Sequence, residues 1–164
     1  MADATTRFTN LPRDKVEILL RVSEAAFPIW KRFEDAWEDD LPDHVAEATR
    51  AFAAIHDAAR AWLETGAVDV AALQAHVDAV DEGAGEAAEN SHSTIANQAV
   101  PAQVATAITG TLAWVLGQLA GATILGAVAP YADSVPLEDL LDDIQDEPEA
   151  ESVRDLWRQL VASD

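Results

Sequence analysis

One stretch limits what this chain can become. Ala99–Tyr131, AVPAQVATAITGTLAWVLGQLAGATILGAVAPY, holds no charged side chain, in a protein whose formal net charge is −20. A helix apolar on every face is either the buried centre of a bundle or a membrane span. Pro101 suits a first helical position and Pro130 stops the run, which predicts a helix over about 101–129. At about 1.5 Å per residue that helix is roughly 43 Å long, so a bend is expected. Gly110, Ala113, Gly117 and Gly121 fall nearly in line along it. A Gly inside a helix costs about 1 kcal/mol relative to Ala, and a smooth groove for a neighbouring helix would repay that.

Thr111–Pro130 is long enough to span a bilayer, and Gly117–Gly121 makes a GxxxG pair. Against a span stand Gln118 near its middle, weak apolarity, and the absence of Lys and Arg from Ala61 to Val153. Nothing positive is there to anchor either end at a cytosolic face. Buried bundle core is the expectation.

The other segments read as amphipathic helices. Val16, Leu19, Leu20, Ser23, Phe27, Trp30, Phe33 and Trp37 form a seam three and four apart, with Asn10 as cap and Pro28 predicting a kink or two abutting helices. Arg13–Glu17 and Lys31–Asp35 are spaced for ion pairs on its outer face. Pro42 opens a second helix with the stripe Val45, Ala48, Phe52, Ile55, Ala59 and Trp62, ended by Gly66. Asp69 caps a third, closed by Gly83, and a short helix is expected around 85–98. Ser134 caps a short helix through Ile144 with Leu137, Leu140, Leu141 and Ile144 inward. After Pro148 a last helix carries Val153, Leu156, Trp157, Leu160 and Val161 on one face.

The predicted fold is therefore all-α, a single bundle-like domain of five to seven helices around the uncharged 101–129. Residues 1–9 form a loose arm, and the acidic C-terminal helices of 134–164 pack on the bundle. No cysteine is present, which removes disulfides, thiolate chemistry and cysteine-ligated zinc. The N-terminus, MADATTRFTN, has no apolar core of a signal peptide, so a cytoplasmic location is expected.

Little points to catalysis or to a cofactor. Glu89-x-x-His92 has the spacing of di-metal helical bundles, but those need two such pairs and two further Glu, so a polar turn is the favoured reading and no metal is assigned. His56 lies near an apolar stripe, where a hydrogen-bonded interfacial histidine is expected rather than a catalytic one. No phosphate loop or calcium loop is present.

Thirty acids against ten bases argue against nucleic acid and anionic membrane as partners and favour a basic protein. Two acidic clusters are the candidate partner-binding sites. One is Asp35, Glu38, Asp39 and Asp40 around Trp37, a candidate apolar anchor. The other comprises Glu138, Asp139, Asp142, Asp143, Asp146 and Glu147. The bland reading of each is a solubilising face.

The segment Ala26-Phe27-Pro28-Ile29-Trp30, the helix end Ala61-Trp62-Leu63-Glu64-Thr65-Gly66, and the late uncharged helix running to Tyr131-Ala132 follow one another in a familiar order. In this pattern, over roughly 11–132, the chain resembles the all-helical immunity proteins of bacterial polymorphic toxin systems, and it is also similar to the YjaG-type family. The resemblance implies a cytosolic helical protein that neutralises a toxin domain by binding it. It carries over no functional residue. The expected function is thus a non-enzymatic inhibitor occluding a basic toxin. The alternatives are a self-associating helical protein of a salt-adapted or acidic cytosol and, third, a metal-binding bundle.

Overall fold

Apolar residues three and four apart wind the first described segment into α1 (Arg13–Ala36), which buries Val16, Leu19, Leu20, Ala26, Ile29, Trp30 and Phe33. The structure, a computed structural model, describes residues 11–90, 92–125, 139 and 141–162. A 3-10 turn at Glu38–Asp40 leads into α2 (Asp43–Thr65), then follow α3 (Val70–Glu89), α4 (Ala96–Leu119), a second 3-10 turn at Leu141–Ile144, and α5 (Ala150–Val161). The described residues contain no strand. The fold is an all-α bundle, as the sequence predicts, with five packed helices among the described residues.

Helices α1 to α4 close into a ring: α1 packs on α2 and α4, and α3 packs on α2 and α4. The connections between them are short enough to fold each helix back on the one before. Between α1 and α2 runs an aromatic ladder. Phe27 stacks on Phe52 at 5.3 Å, Phe52 on Trp30 at 5.2 Å, and Trp30 leans on Phe33 at 5.2 Å.

The uncharged helix is the wrapped one. Every residue from Val104 to Gly117 is buried, Leu116 completely and Leu119 partly. By length and composition α4 could cross a membrane, but its own neighbours cover it. Its ends differ from the expected 101–129. Pro101 lies inside the helix, where its missing N–H leaves the Asn97 carbonyl without an α-helical donor. At the other end Gly121 takes φ +78, its N–H bonds the Gln118 carbonyl (3.0 Å), and the Ala122 N–H bonds the Gly117 carbonyl (2.9 Å). That pair of bonds is a Schellman stop. At Gly117 the glycine row admits the chain's own return rather than a partner helix: a Cβ there would meet the side chain of Ile124 at 2.4 Å. The expected helix residues beyond 125 lie outside the described ones.

Three further boundaries move. Pro28 neither splits nor ends α1, because it sits on the exposed side while Ile29 and Trp30 are held in the core. Gly83 does not close α3. It lies mid-helix where a Cβ would stand 2.6 Å from the Ala48 Cβ and 2.8 Å from the Trp30 ring, so glycine lets α3 press against α2 and α1. The helix expected around 85–98 is divided between the end of α3 and the start of α4. Ion pairs also form with other partners than expected: Arg21 with Glu17 at 3.1 Å and Lys31 with Glu34 at 2.9 Å. The arm 1–9, the Asn10 cap, Ser134, Leu137 and Leu140 fall outside the described residues.

Candidate functional site

The second acidic cluster is built on an apolar footing. Leu141 and Ile144 are buried, and their 3-10 turn packs on α4, so Asp139, Asp142, Asp143 and Asp146 are left exposed. Asp143, Asp146 and Glu147 form one wall of a cleft of about 590 Å³; Arg32 of α1 and Asn97, Gln98, Val100 and Pro101 of α4 complete it. Glu138 lies outside the described residues.

Arg32 is the positive centre of this cleft. It donates to both carboxylate oxygens of Glu149, with the Nη1–Oε2 bond at 3.1 Å, and lies 3.7 Å from Glu147. The hydrogen bond to Glu149 holds the Arg32 guanidinium above its ordinary pKa, and the same bond holds the Glu149 carboxyl below the usual carboxylate range. With Arg32 matched by Glu149, the carboxylates of Asp143, Asp146 and Glu147 leave the cleft with an excess of negative charge. Asp142 is held by Arg154 at 3.0 Å.

The first cluster starts one helical turn beyond Arg32. Asp35 is three residues further along α1, and exposed Glu38, Asp39 and Asp40 form the 3-10 turn that follows. The Arg32–Glu149 contact therefore brings both acidic clusters to one end of the molecule. Trp37, within the first cluster, is partly buried and is not a free anchor. Its ring packs edge-on against Phe33 at 6.0 Å, and its indole N–H is buried with no acceptor among the described residues. Only part of the ring faces outward.

His56 occupies a second, internal polar site. It is buried, with Nε2 2.7 Å from the Ser23 hydroxyl, which is itself 2.6 Å from the Thr109 hydroxyl. The relay ties α2 to α1 and α4. Burial pushes the imidazole from its ordinary 6.5 down to about 4; Glu24 and Asp57 oppose the shift and Arg60 adds to it. Ser23 is wholly buried, so the pair cannot present a nucleophile to a substrate. As expected from its place on the stripe, His56 is an interfacial, hydrogen-bonded histidine.

The remaining histidine motifs separate. Glu89 ends α3 and His92 lies exposed in the turn after it, while His44 of α2 sits 3.3 Å from Glu86 in a groove shared with Glu82 and Glu89. Among the described residues no three His, Asp or Glu side chains converge as metal ligands would.

Sequence reasoning missed Arg32, Asn97, Gln98 and Val100 as cleft residues, and the pairing of Arg32 with Glu149. With so few cations in the chain, each Arg is a candidate counter-charge for an acidic run, but which run it meets is set by the docking of helices far apart in sequence. Comparison of the chain with known protein families, with curated proteins and with solved structures finds no match. The case for function therefore rests on the residues themselves.

Proposed function

We propose that this protein is a non-enzymatic, acidic protein-binding module, an immunity-type inhibitor that occludes a basic toxin domain. The observation that carries this reading is the cleft of Asp143, Asp146 and Glu147, fixed on the bundle by buried Leu141 and Ile144 and adjoined by Asp35, Glu38, Asp39 and Asp40. Carboxylates mounted on a rigid footing meet a basic surface with little loss of backbone freedom, and their field speeds encounter and rejects acidic partners. Occlusion would place them where the toxin's own anionic substrate sits. The half-buried Trp37 adds an apolar edge at the rim rather than a deep anchor.

Affinity capture from the native cell, with bound proteins identified, tests the reading. A basic toxin-type domain is the expected catch. Reversing Asp143 and Asp146 to Lys should then slow its association at least tenfold at low salt, an effect that fades as salt rises. Capture of further copies of this chain alone, or association rates untouched by reversal and by salt, would overturn it.

A further inference from the structure

Among the described residues the last helix is attached differently from the other four. Helices α1 to α4 pack on one another in a closed ring, whereas the main neighbours of α5 are α1 and the 3-10 turn at Leu141–Ile144. Its apolar attachment is one face, Ala150, Val153, Trp157 and Leu160. Mid-helix, Arg154 donates to the Leu141 carbonyl and to Asp142 of that 3-10 turn, both at 3.0 Å, while α1 supplies a polar fastening at each end. At the start, Arg32 grips Glu149, the residue just before the first turn. At the finish, the Lys15 ammonium donates to the carbonyls of Gln159 (2.8 Å) and Ala162 (3.3 Å), where a helix leaves its carbonyls without N–H partners.

We propose that α5 is a strap that opens and closes independently of the four-helix core, with the Arg32–Glu149 pair as its catch. The catch lies beside the acidic cleft and solvent reaches it: the side chains are 37% and 19% exposed. The Arg32 Nε is buried with no acceptor among the described residues, so the grip depends on the two terminal nitrogens that share one carboxylate and are lost together. Once freed, a helix of 12 residues is marginal in water and unwinds. Opening bares Val153, Trp157, Leu160 and the face of α1 beneath them without opening the ring. This holds whether or not the acidic face meets a toxin.

Amide hydrogen exchange on the full chain under native conditions is the test, because it separates local from global opening. Amides of Arg154–Val161 should exchange through an opening that leaves those of Ala105–Leu116 protected. Arg32→Gln should speed exchange in α5 roughly five- to tenfold while α4 is unchanged, as a partly exposed charge-assisted pair predicts. Lys15→Met should do the same to a lesser degree. Glu149→Gln, which keeps Arg32 in place, serves if Arg32→Gln fails to fold. Exchange of α5 only in step with α4, equal acceleration of both helices, or unchanged α5 rates in Glu149→Gln would overturn the proposal.

Discussion

In α4 every side chain from Val104 to Gly117 is buried, whereas α5 buries only Ala150, Val153, Trp157 and Leu160. The two helices show opposite ways of belonging to a fold. A helix surrounded by three others has no side left for water, so a charge anywhere along its middle would need a buried partner. A helix laid on one neighbour keeps a wet face, and its sequence alternates accordingly between Val153, Trp157, Leu160 and the exposed Glu151, Asp155 and Arg158. The first cannot leave without unfolding the protein. The second can.

The contrast can be broken most severely at its buried end. Leu112→Ala, at a fully buried position of α4, should cost about 3 kcal/mol by urea unfolding, from lost burial plus the cavity left in a packed interior. Truncation of Leu156, partly buried on α5, should cost well under half as much. Equal losses at the two positions would mean that α5 is part of the core.

Nearly as large is the effect of acid on the relay that joins α1, α2 and α4. His56 titrates near 4 in the fold and near 6.5 in the unfolded chain. The unfolded chain therefore binds the extra proton between those values, and stability present above pH 6.5 is lost as pH falls toward 4. The loss amounts to roughly 3 kcal/mol. Unfolding free energies measured across that window should show it, and His56→Gln should flatten that part of the profile.

A smaller change probes the close approach of α3. Gly83→Ala raises helix propensity but forces a Cβ against Ala48 and Trp30. The net should be a destabilisation of about 1–2 kcal/mol by chemical denaturation. Gly85→Ala, two residues on and meeting nothing within 4 Å, should be neutral or stabilising. Smallest of all, Arg21→Ala removes an exposed pair with Glu17 and should shift stability by no more than about 0.5 kcal/mol.

Much of the fold is legible without coordinates, and the exceptions share a cause. The stripes of α1, α2 and α5 depend on local spacing alone, and the αL stop at Gly66 follows from one residue type. Gly83 and Gly121 are misread by the same local rule because one glycine can end a helix or let two helices touch. Gly83 looks like a stop and is a contact; Gly121 looks like a contact and is a stop. Of the candidate site, the exposed carboxylates are legible as unneutralised charge, while the partial burial of Trp37 follows from its meeting with Phe33.

By itself the sequence determined the helical class, the uncharged helix that must be enclosed, and an acidic surface, since each follows from side-chain chemistry and helical periodicity. Tertiary structure alone decided that Arg32 meets Glu149 across 117 positions, and that Ser23 joins His56 and Thr109 across 33 and 86. Such pairings depend on which faces of distant helices come together, and many sequence positions carry a chemically suitable partner. Only packing of the apolar faces, whose burial outweighs any single polar contact, selects among them.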